Sequence, residues 1–137
     1  DFTGTLLEDL VKPYVIVRKA GMKIGVIGLL TDIMKVVDKN IAMELQYQEP
    51  ADVVIPLASM LKDEKDCDMV ICLSHLGYKE DKELASQIKN VDVIVGGHSH
   101  TLLHKKQVVV DSEGEEVVVV QNWKWGLNVG HLTVKAE

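Results

Sequence analysis

Residues 69–100 read MVICLSHLGYKEDKELASQIKNVDVIVGGHSH, two apolar runs on either side of an amphipathic segment. The first run, 68–73, is bounded by turn residues, which is typical of a strand covered on both faces. Residues 79–89 carry acidic side chains early and an apolar stripe, so they predict a short helix. The second run, 91–95, predicts another buried strand, which ends before two glycines.

The residues before this unit extend the same pattern. Residues 14–18 alternate between apolar and polar, and 23–29 resume after a turn, which predicts a hairpin that feeds a buried strand. Apolar residues at helical spacing over 53–61 predict a helix. Pro50 suits its first turn, and Pro56 lies inside it and is expected to bend it.

Two other regions give weaker signals. Residues 31–48 mix turn residues with isolated apolar ones and predict an irregular connection. Near the C-terminus, 107–110 and 116–120 flank a turn-rich link at 111–114, which predicts two strands joined by a turn. Residues 129–134 are a further alternating run, typical of a strand.

Strand, helix, strand, helix and strand in this order indicate βαβ crossovers and a sheet that is at least partly parallel. The predicted fold class is therefore α/β. The chain has 137 residues, 47% of them hydrophobic, which is enough for one core. No repeat, low-complexity tract or linker divides it, so we place no domain boundary.

Composition excludes several classes of function. The chain has 15 Lys and Arg against 21 Asp and Glu, and its net charge of −6 repels nucleic acid polymers and anionic lipid surfaces. Its apolar runs are far shorter than the ~20 residues that a membrane span requires. The chain begins at Asp1 without a readable targeting signal, so we expect it to be an excised piece.

The two cysteines, Cys67 and Cys72, lie around one predicted strand. An extended backbone would separate them by ~16 Å, whereas a disulfide requires Cα atoms less than ~7 Å apart. We therefore expect no bridge between them. Cys72 lies within an apolar run and is expected to be a small core residue.

Three of the five histidines follow predicted buried strands: His75 comes after 70–73, and His98 and His100 after 93–97. Ligands of open α/β sheets bind beyond the carboxyl ends of the strands, so these imidazoles are expected to meet in one crevice. The glycine pair before His98 is expected to let the backbone turn sharply. Because imidazole commonly binds Zn, Mn or Fe, all three are candidate metal ligands; alternatively, one or two only hydrogen-bond the loop.

Other residues of chemical interest favour structural roles. His104 and His131 follow no buried strand. Trp123 and Trp125 have faces that could stack on a nucleotide base, but their strand-rich setting favours packing in the core or at an edge. The acidic residues at 111–116 lack the spacing of an EF-hand, which favours a solvated turn.

The sequence resembles the calcineurin-like metallophosphoesterases, specifically the bacterial group of 5'-nucleotidases, UDP-sugar hydrolases and 2',3'-cyclic phosphodiesterases. The most specific strings are ICLSHLGY at 71–78, DKELA at 81–85 and VDVIVGGHSHT at 91–101. Residues 12–14, 21–29 and 121–132 match the group in the same order. The resemblance covers nearly the whole chain and implies part of an α/β/β/α sandwich, with βαβ units followed by a strand-rich C-terminal tail.

The resemblance also implies a site with two divalent metal ions, zinc, manganese or similar. His75 and His98 would bind one ion, and His100 would bind the other. The remaining ligands, including a bridging aspartate, would come from Asp-x-His, Gly-Asp and Gly-Asn-His motifs, none of which occurs here. Residues 1–137 would then be the C-terminal half of the catalytic domain, without its N-terminal half or a nucleotide-binding C-terminal domain.

The implied parent protein hydrolyses 5'-nucleotides or related phosphoesters with a metal-activated water and is periplasmic or at the cell surface. We expect this chain to supply no catalytic residue, to bind metal weakly or as a single ion, and to be inactive alone. One alternative is a non-catalytic module that docks on the missing half or self-associates through an exposed sheet edge. Another is a mononuclear zinc hydrolase that uses the three histidines.

Overall fold

The centre of the molecule is a six-stranded sheet with the strand order β1-β2-β3-β4-β6-β5. The computed structural model describes residues 4–5, 7–34 and 36–135; Asp1 lies outside them. The strands are β1 Tyr14–Lys19, β2 Met22–Leu30, β3 Met69–His75, β4 Val93–Gly96, β5 Gln107–Val110 and β6 Glu116–Gln121. The helices are α1 Lys39–Glu44, α2 Pro50–Ser59 and α3 Tyr78–Gln87, and a π-helical turn, Met60–Glu64, follows α2.

The sheet is mixed, with a parallel centre. Strands β2, β3, β4 and β6 run parallel to one another, and β1 and β5 pair antiparallel at the two edges. The predicted α/β class and both predicted hairpins are confirmed. The register places Leu30 beside His75 and Gly96 beside Gln121, so the carboxyl ends of the central strands share one edge.

The core lies between the sheet and the helices α2 and α3. Successive residues of a strand point to opposite faces. The buried Val70 and Cys72 of β3 share one apolar cluster with Val54 of α2 and Leu84 of α3. Along the part of the chain that the structure describes, no helix has the length and apolar character to cross a bilayer.

The two cysteines are free and buried, so the predicted absence of a bridge between them is confirmed. Burial, with a smaller effect of the nearby Asp81 carboxyl, raises the pKa of the Cys72 thiol to about 12. Cys72 is fully buried in the core cluster. It is therefore a neutral core side chain, as predicted.

The second face of the sheet carries a set of exposed apolar side chains, which we call the open face. Strand register places them on one face of the sheet, because directly paired residues of neighbouring strands point to the same side. Each is between 45% and 59% exposed. They are Val15, Val17, Leu30, Leu73, Val108 and Val110.

Two predictions of secondary structure differ from the structure, the first in part and the second entirely. Residues 31–48 contain the helix α1, which begins after Asp38, whose side chain accepts a hydrogen bond from the Asn40 backbone N–H. The polar cap at Asp38 starts this helix, and the helix has no apolar stripe from which the sequence could have predicted it. Residues 129–134 form no strand, and Val129 is 94% exposed. An alternating pattern without a strand to pair with does not become a strand.

The hairpin between β5 and β6 shows how a side chain organises a predicted turn. Asp111 is buried, and its Oδ1 accepts hydrogen bonds from the backbone N–H groups of Glu113 and Glu115, at 2.8 and 2.9 Å. Ser112 joins this turn to the end of α3 by donating to the Ile88 carbonyl at 2.9 Å. The acidic cluster is therefore a turn, as predicted, although Asp111 is not solvated.

We expect Leu61→Ala to destabilise the fold by about 2–5 kcal/mol, since it leaves a cavity in the core. Leu61 is fully buried, and its Cδ1 lies 2.8 Å from where a Cβ on Gly25 of β2 would stand. Urea unfolding would measure the loss. Leu10→Ala is the matched control, because Leu10 is 76% exposed. Equal losses in the two variants would contradict the assigned core.

Candidate functional site

Two of the three predicted ligands lie together at the carboxyl edge of the sheet. The ring centroids of His75 and His98 are 5.1 Å apart, and the rings are tilted by 70°. Parallel pairing of β3 with β4 produces this approach. His75 is the last residue of β3, so it belongs to the strand that it was expected to follow.

His100 lies on the same loop, and its ring is 6.4 Å from the ring of Trp125, centroid to centroid. Across residues 4–5, 7–34 and 36–135, no three His, Cys, Asp or Glu side chains form a group that could hold a metal ion. The structure thus brings His75 and His98 together without making them part of a group with His100. Metal binding by the three histidines stays a prediction.

Trp125, which follows β6, differs from its prediction. Trp125 is 79% exposed, so packing in the core or at an edge is wrong for this residue. Both Trp123 and Trp125 have positive φ angles, 58° and 57°. The ammonium of Lys124 lies 4.0 Å from the Trp125 ring centroid. His104 and His131 are exposed.

The loop that carries His98 and His100 has an unusual backbone. Their φ angles are 69° and 52°, in the left-handed region that residues with a Cβ rarely adopt. Such residues cost of order 1–3 kcal/mol each and persist where the surroundings hold them. The loop therefore needs contacts from outside itself to keep this conformation.

Gln121, the last residue of β6, supplies those contacts. Its Nε2 donates to the Gly97 carbonyl at 2.7 Å, and its Oε1 accepts from the Ser99 hydroxyl at 2.9 Å and from the Thr101 backbone N–H at 2.5 Å. The Ser99 Oγ in turn accepts from the backbone N–H of Tyr78, the first residue of α3, at 3.0 Å. One side chain thus ties the histidine loop to the sheet.

A buried carboxyl group lies beside the same strand ends. Asp81 of α3 is fully buried, and its Oδ1 accepts a hydrogen bond from the Ser74 hydroxyl at 2.5 Å. Its Oδ2 has no hydrogen-bond partner in the described part of the chain. Burial raises the pKa of Asp81, the Ser74 hydrogen bond lowers it, and the charge of Glu80 raises it. The carboxyl group is therefore stabilised in its neutral form.

The two glycines of the loop allow other groups to approach the backbone closely. A Cβ on Gly96 would lie 2.2 Å from Asp81 Oδ2, and one on Gly97 would lie 3.1 Å from His75 Nδ1. Neither glycine has a positive φ. The chain does turn directly after the pair, where the Ser99 N–H donates to the Gly97 carbonyl at 2.9 Å, and glycine is also needed at both positions for space.

Sequence reasoning missed Asp81 and Gln121, although both leave a signal. Asp81 lies three and four positions before Leu84 and Ala85, so it falls on the apolar stripe of α3. Gln121 continues the alternation of the buried Val117 and Val119 in β6. A polar residue in phase with buried apolar ones indicates an internal hydrogen-bonding role.

A cleft of about 540 Å³ opens beside His75. The ends of β2, β3 and β4 line it together with Val11 and Lys12, and Lys12 is the charged residue among its described lining. The cleft therefore combines the imidazole of His75, which can bind a metal ion, with the ammonium of Lys12, which can attract an anion.

The similar curated proteins and solved structures include 5'-nucleotidases. No family model matches the chain. The chain is 30% identical over 131 residues to the trifunctional nucleotide phosphoesterase protein YfkN of Bacillus subtilis. The matched region covers 96% of this chain and 9% of that protein. It is 31% identical over 145 residues to a probable 5'-nucleotidase of Treponema pallidum, covering 96% of this chain and 24% of that protein.

Among solved structures, the fold is similar to the 5'-nucleotidase precursor of Thermus thermophilus. The TM-score is 0.80 and the identity 36%, over 88% of this chain and 26% of that one. The chain thus spans only about a tenth to a quarter of the length of the proteins that it matches.

The buried carboxyl group predicts a pH dependence of stability. Because the pKa of Asp81 is raised in the folded state, its neutral form stabilises the fold fully below the ordinary value of 3.8, and this contribution is lost as pH rises through the raised pKa. Asp81→Asn cannot ionise. We therefore expect the variant to gain stability relative to wild type as pH rises from acid to neutral.

Urea unfolding at a series of pH values would measure this difference. Asp63→Asn, at an exposed position in the π-helical turn, is the matched control and should keep the wild-type profile. Parallel profiles for wild type and Asp81→Asn would show that the burial of Asp81 has no such effect.

Proposed function

We propose that this chain, which is homologous to part of the 5'-nucleotidases as its sequence predicted, forms the C-terminal half of the catalytic domain of a two-metal phosphohydrolase. The whole protein would hydrolyse 5'-nucleotides or related phosphoesters with water. The observation that carries the proposal is the approach of His75 and His98 at the carboxyl edge of the sheet. The strings that surround both histidines are those that carry the resemblance.

The donor set of this chain fits part of a metal site. Two imidazoles with ring centroids 5.1 Å apart are suited to one divalent zinc or manganese ion, and His100 lies two residues beyond His98 to serve a second. When bound, such ions would polarise phosphoryl oxygens and lower the pKa of water. Carboxylates that bridge and balance two ions would come from the rest of the protein.

The residues of this chain would then bind and orient rather than transfer protons. His75 and His98 would present neutral nitrogens to the metal. Lys12, which lines the cleft beside His75, would attract the anionic substrate locally, against the net charge of −6 on the chain. We place no catalytic proton donor or acceptor among these residues, and we infer periplasmic or cell-surface export of the whole protein from the resemblance alone.

The open face supports a second role for the isolated chain. Exposed apolar patches that lie together are typical of interfaces. The sheet also ends in two antiparallel strands, β1 and β5, whose outer edges can pair with another strand. We infer that the missing half of the catalytic domain covers the open face in the whole protein, and that the chain alone self-associates there.

The first test measures metal binding and phosphate release by the purified chain. We expect weak binding of a single Zn²⁺ or Mn²⁺ ion by calorimetry and little or no release of phosphate from a nucleoside monophosphate. His98→Ala should weaken binding by at least the roughly 10–100-fold that loss of an outer-shell partner costs. His104→Ala, at an exposed residue outside the site, is the matched control.

Two outcomes would change the proposal. Binding that His98→Ala leaves intact would remove the metal assignment. Strong metal-dependent turnover that disappears in His98→Ala would instead show that the three histidines suffice, and would favour a mononuclear hydrolase.

The second test measures the mass of the chain by light scattering over a wide concentration range. We expect wild type to form dimers or larger species and Leu73→Lys to shift them towards monomers, because Leu73 is 58% exposed on the open face. Leu127→Lys is the matched control, since Leu127 is 60% exposed but lies outside the sheet. A wild-type monomer at every concentration would count against self-association.

A further inference from the structure

We propose that Gln121 is a positioning residue whose carboxamide holds residues 97–101 in the conformation that presents His98 and His100 to a metal ion. The inference rests on the proposed function, because only there are these histidines ligands. Gln121 is 3% exposed. The described hydrogen bonds of its side chain go to the loop and not to an imidazole, so the carboxamide acts through the loop.

A carboxamide is the group that these contacts require. Gly97 offers a carbonyl, which needs a donor, whereas Thr101 offers an N–H and Ser99 an O–H, which need acceptors. The glutamine side chain has one carbonyl and one NH₂ and satisfies both needs at once. A carboxylate cannot donate to Gly97, and an apolar side chain would leave buried polar groups without partners.

The contacts fall on alternate residues of the loop. Gln121 bonds to positions 97, 99 and 101, and the two residues between them are the histidines with left-handed backbones. None of the three bonds uses the backbone of either histidine. The clamp therefore fixes the residues on both sides of each histidine, which is what a strained loop requires to keep one conformation.

The same clamp reaches the element that follows His75. Ser99, which donates to Gln121, also accepts the N–H of Tyr78 at the beginning of α3. A Cβ on Gly96 would come within 3.1 Å of Gln121 Nε2, so the strand lies close against this side chain. Gln121 is thus connected with both strand ends that carry a predicted ligand.

The test compares Gln121→Met and Gln121→Glu with wild type in the full 137-residue chain. Gln121→Met keeps the side-chain length and removes all three side-chain hydrogen bonds to the loop, whereas Gln121→Glu keeps the acceptor and removes the donor to Gly97. Gln107→Met is the matched control, because Gln107 lies in the neighbouring strand β5 and bonds to the carbonyls of Lys105 and Lys106.

Three measurements are made on each variant. Amide hydrogen exchange reports on Thr101 in the metal-free chain, imidazole nitrogen NMR signals report on His98 and His100, and calorimetry gives the affinity for Zn²⁺. We expect Gln121→Met to lose protection at Thr101, to shift or broaden both imidazole signals and to bind Zn²⁺ roughly 10–100-fold more weakly. Gln121→Glu should show smaller changes, and Gln107→Met none.

The outcomes separate this inference from the proposed function. Unchanged Thr101 protection and unchanged Zn²⁺ affinity in a folded Gln121→Met would overturn the inference. If Gln121→Met does not fold, wild-type protection, imidazole signals and affinity in Gln121→Glu would overturn it instead. A wild-type chain that binds no Zn²⁺ while the variants lose protection at Thr101 would support the clamp and overturn the metal function.

Discussion

The parallel pairing of β3 with β4 is the interaction on which the site depends. Ile71 pairs with Val93 and Leu73 with Val95, and this register carries both strands to the same edge of the sheet. Burial of apolar side chains between the sheet and its helices stabilises the pairing. Because the two strands end together, His75 and His98 come close to each other although they are far apart in sequence.

Beneath this edge the core becomes polar, and its polar groups hold the loops in place. Asp81 and Ser74 pair inside the protein, and Gln121 bonds to the loop after β4. Glycine at position 96 leaves the space that both side chains occupy. Buried polar groups are expensive unless they are paired, so a layer of this kind specifies one arrangement of the loops more sharply than apolar packing does.

One face of the sheet is open in this chain. The apolar side chains of the open face are between 45% and 59% exposed. The chain covers 26% of the solved 5'-nucleotidase precursor that it resembles. Leu73 of this face belongs to the strand that ends in His75. The strand that carries a candidate ligand on its last residue thus presents an apolar surface next to it.

Apolar runs and turn residues were enough to predict both hairpins, the helices α2 and α3, the parallel centre and the meeting of His75 with His98, because strand periodicity and the βαβ rule depend on local sequence. The helix α1 was not predicted, because its main sequence signal is a single cap residue, Asp38. The strand predicted at 129–134 does not form, because no neighbouring strand pairs with it. Only the tertiary structure decided that the Gln121 side chain bonds to the histidine loop and that His100 lies near Trp125. Both contacts join residues that are far apart in sequence. The partner in such a contact is selected by geometry in three dimensions, which the periodicity of the sequence does not contain.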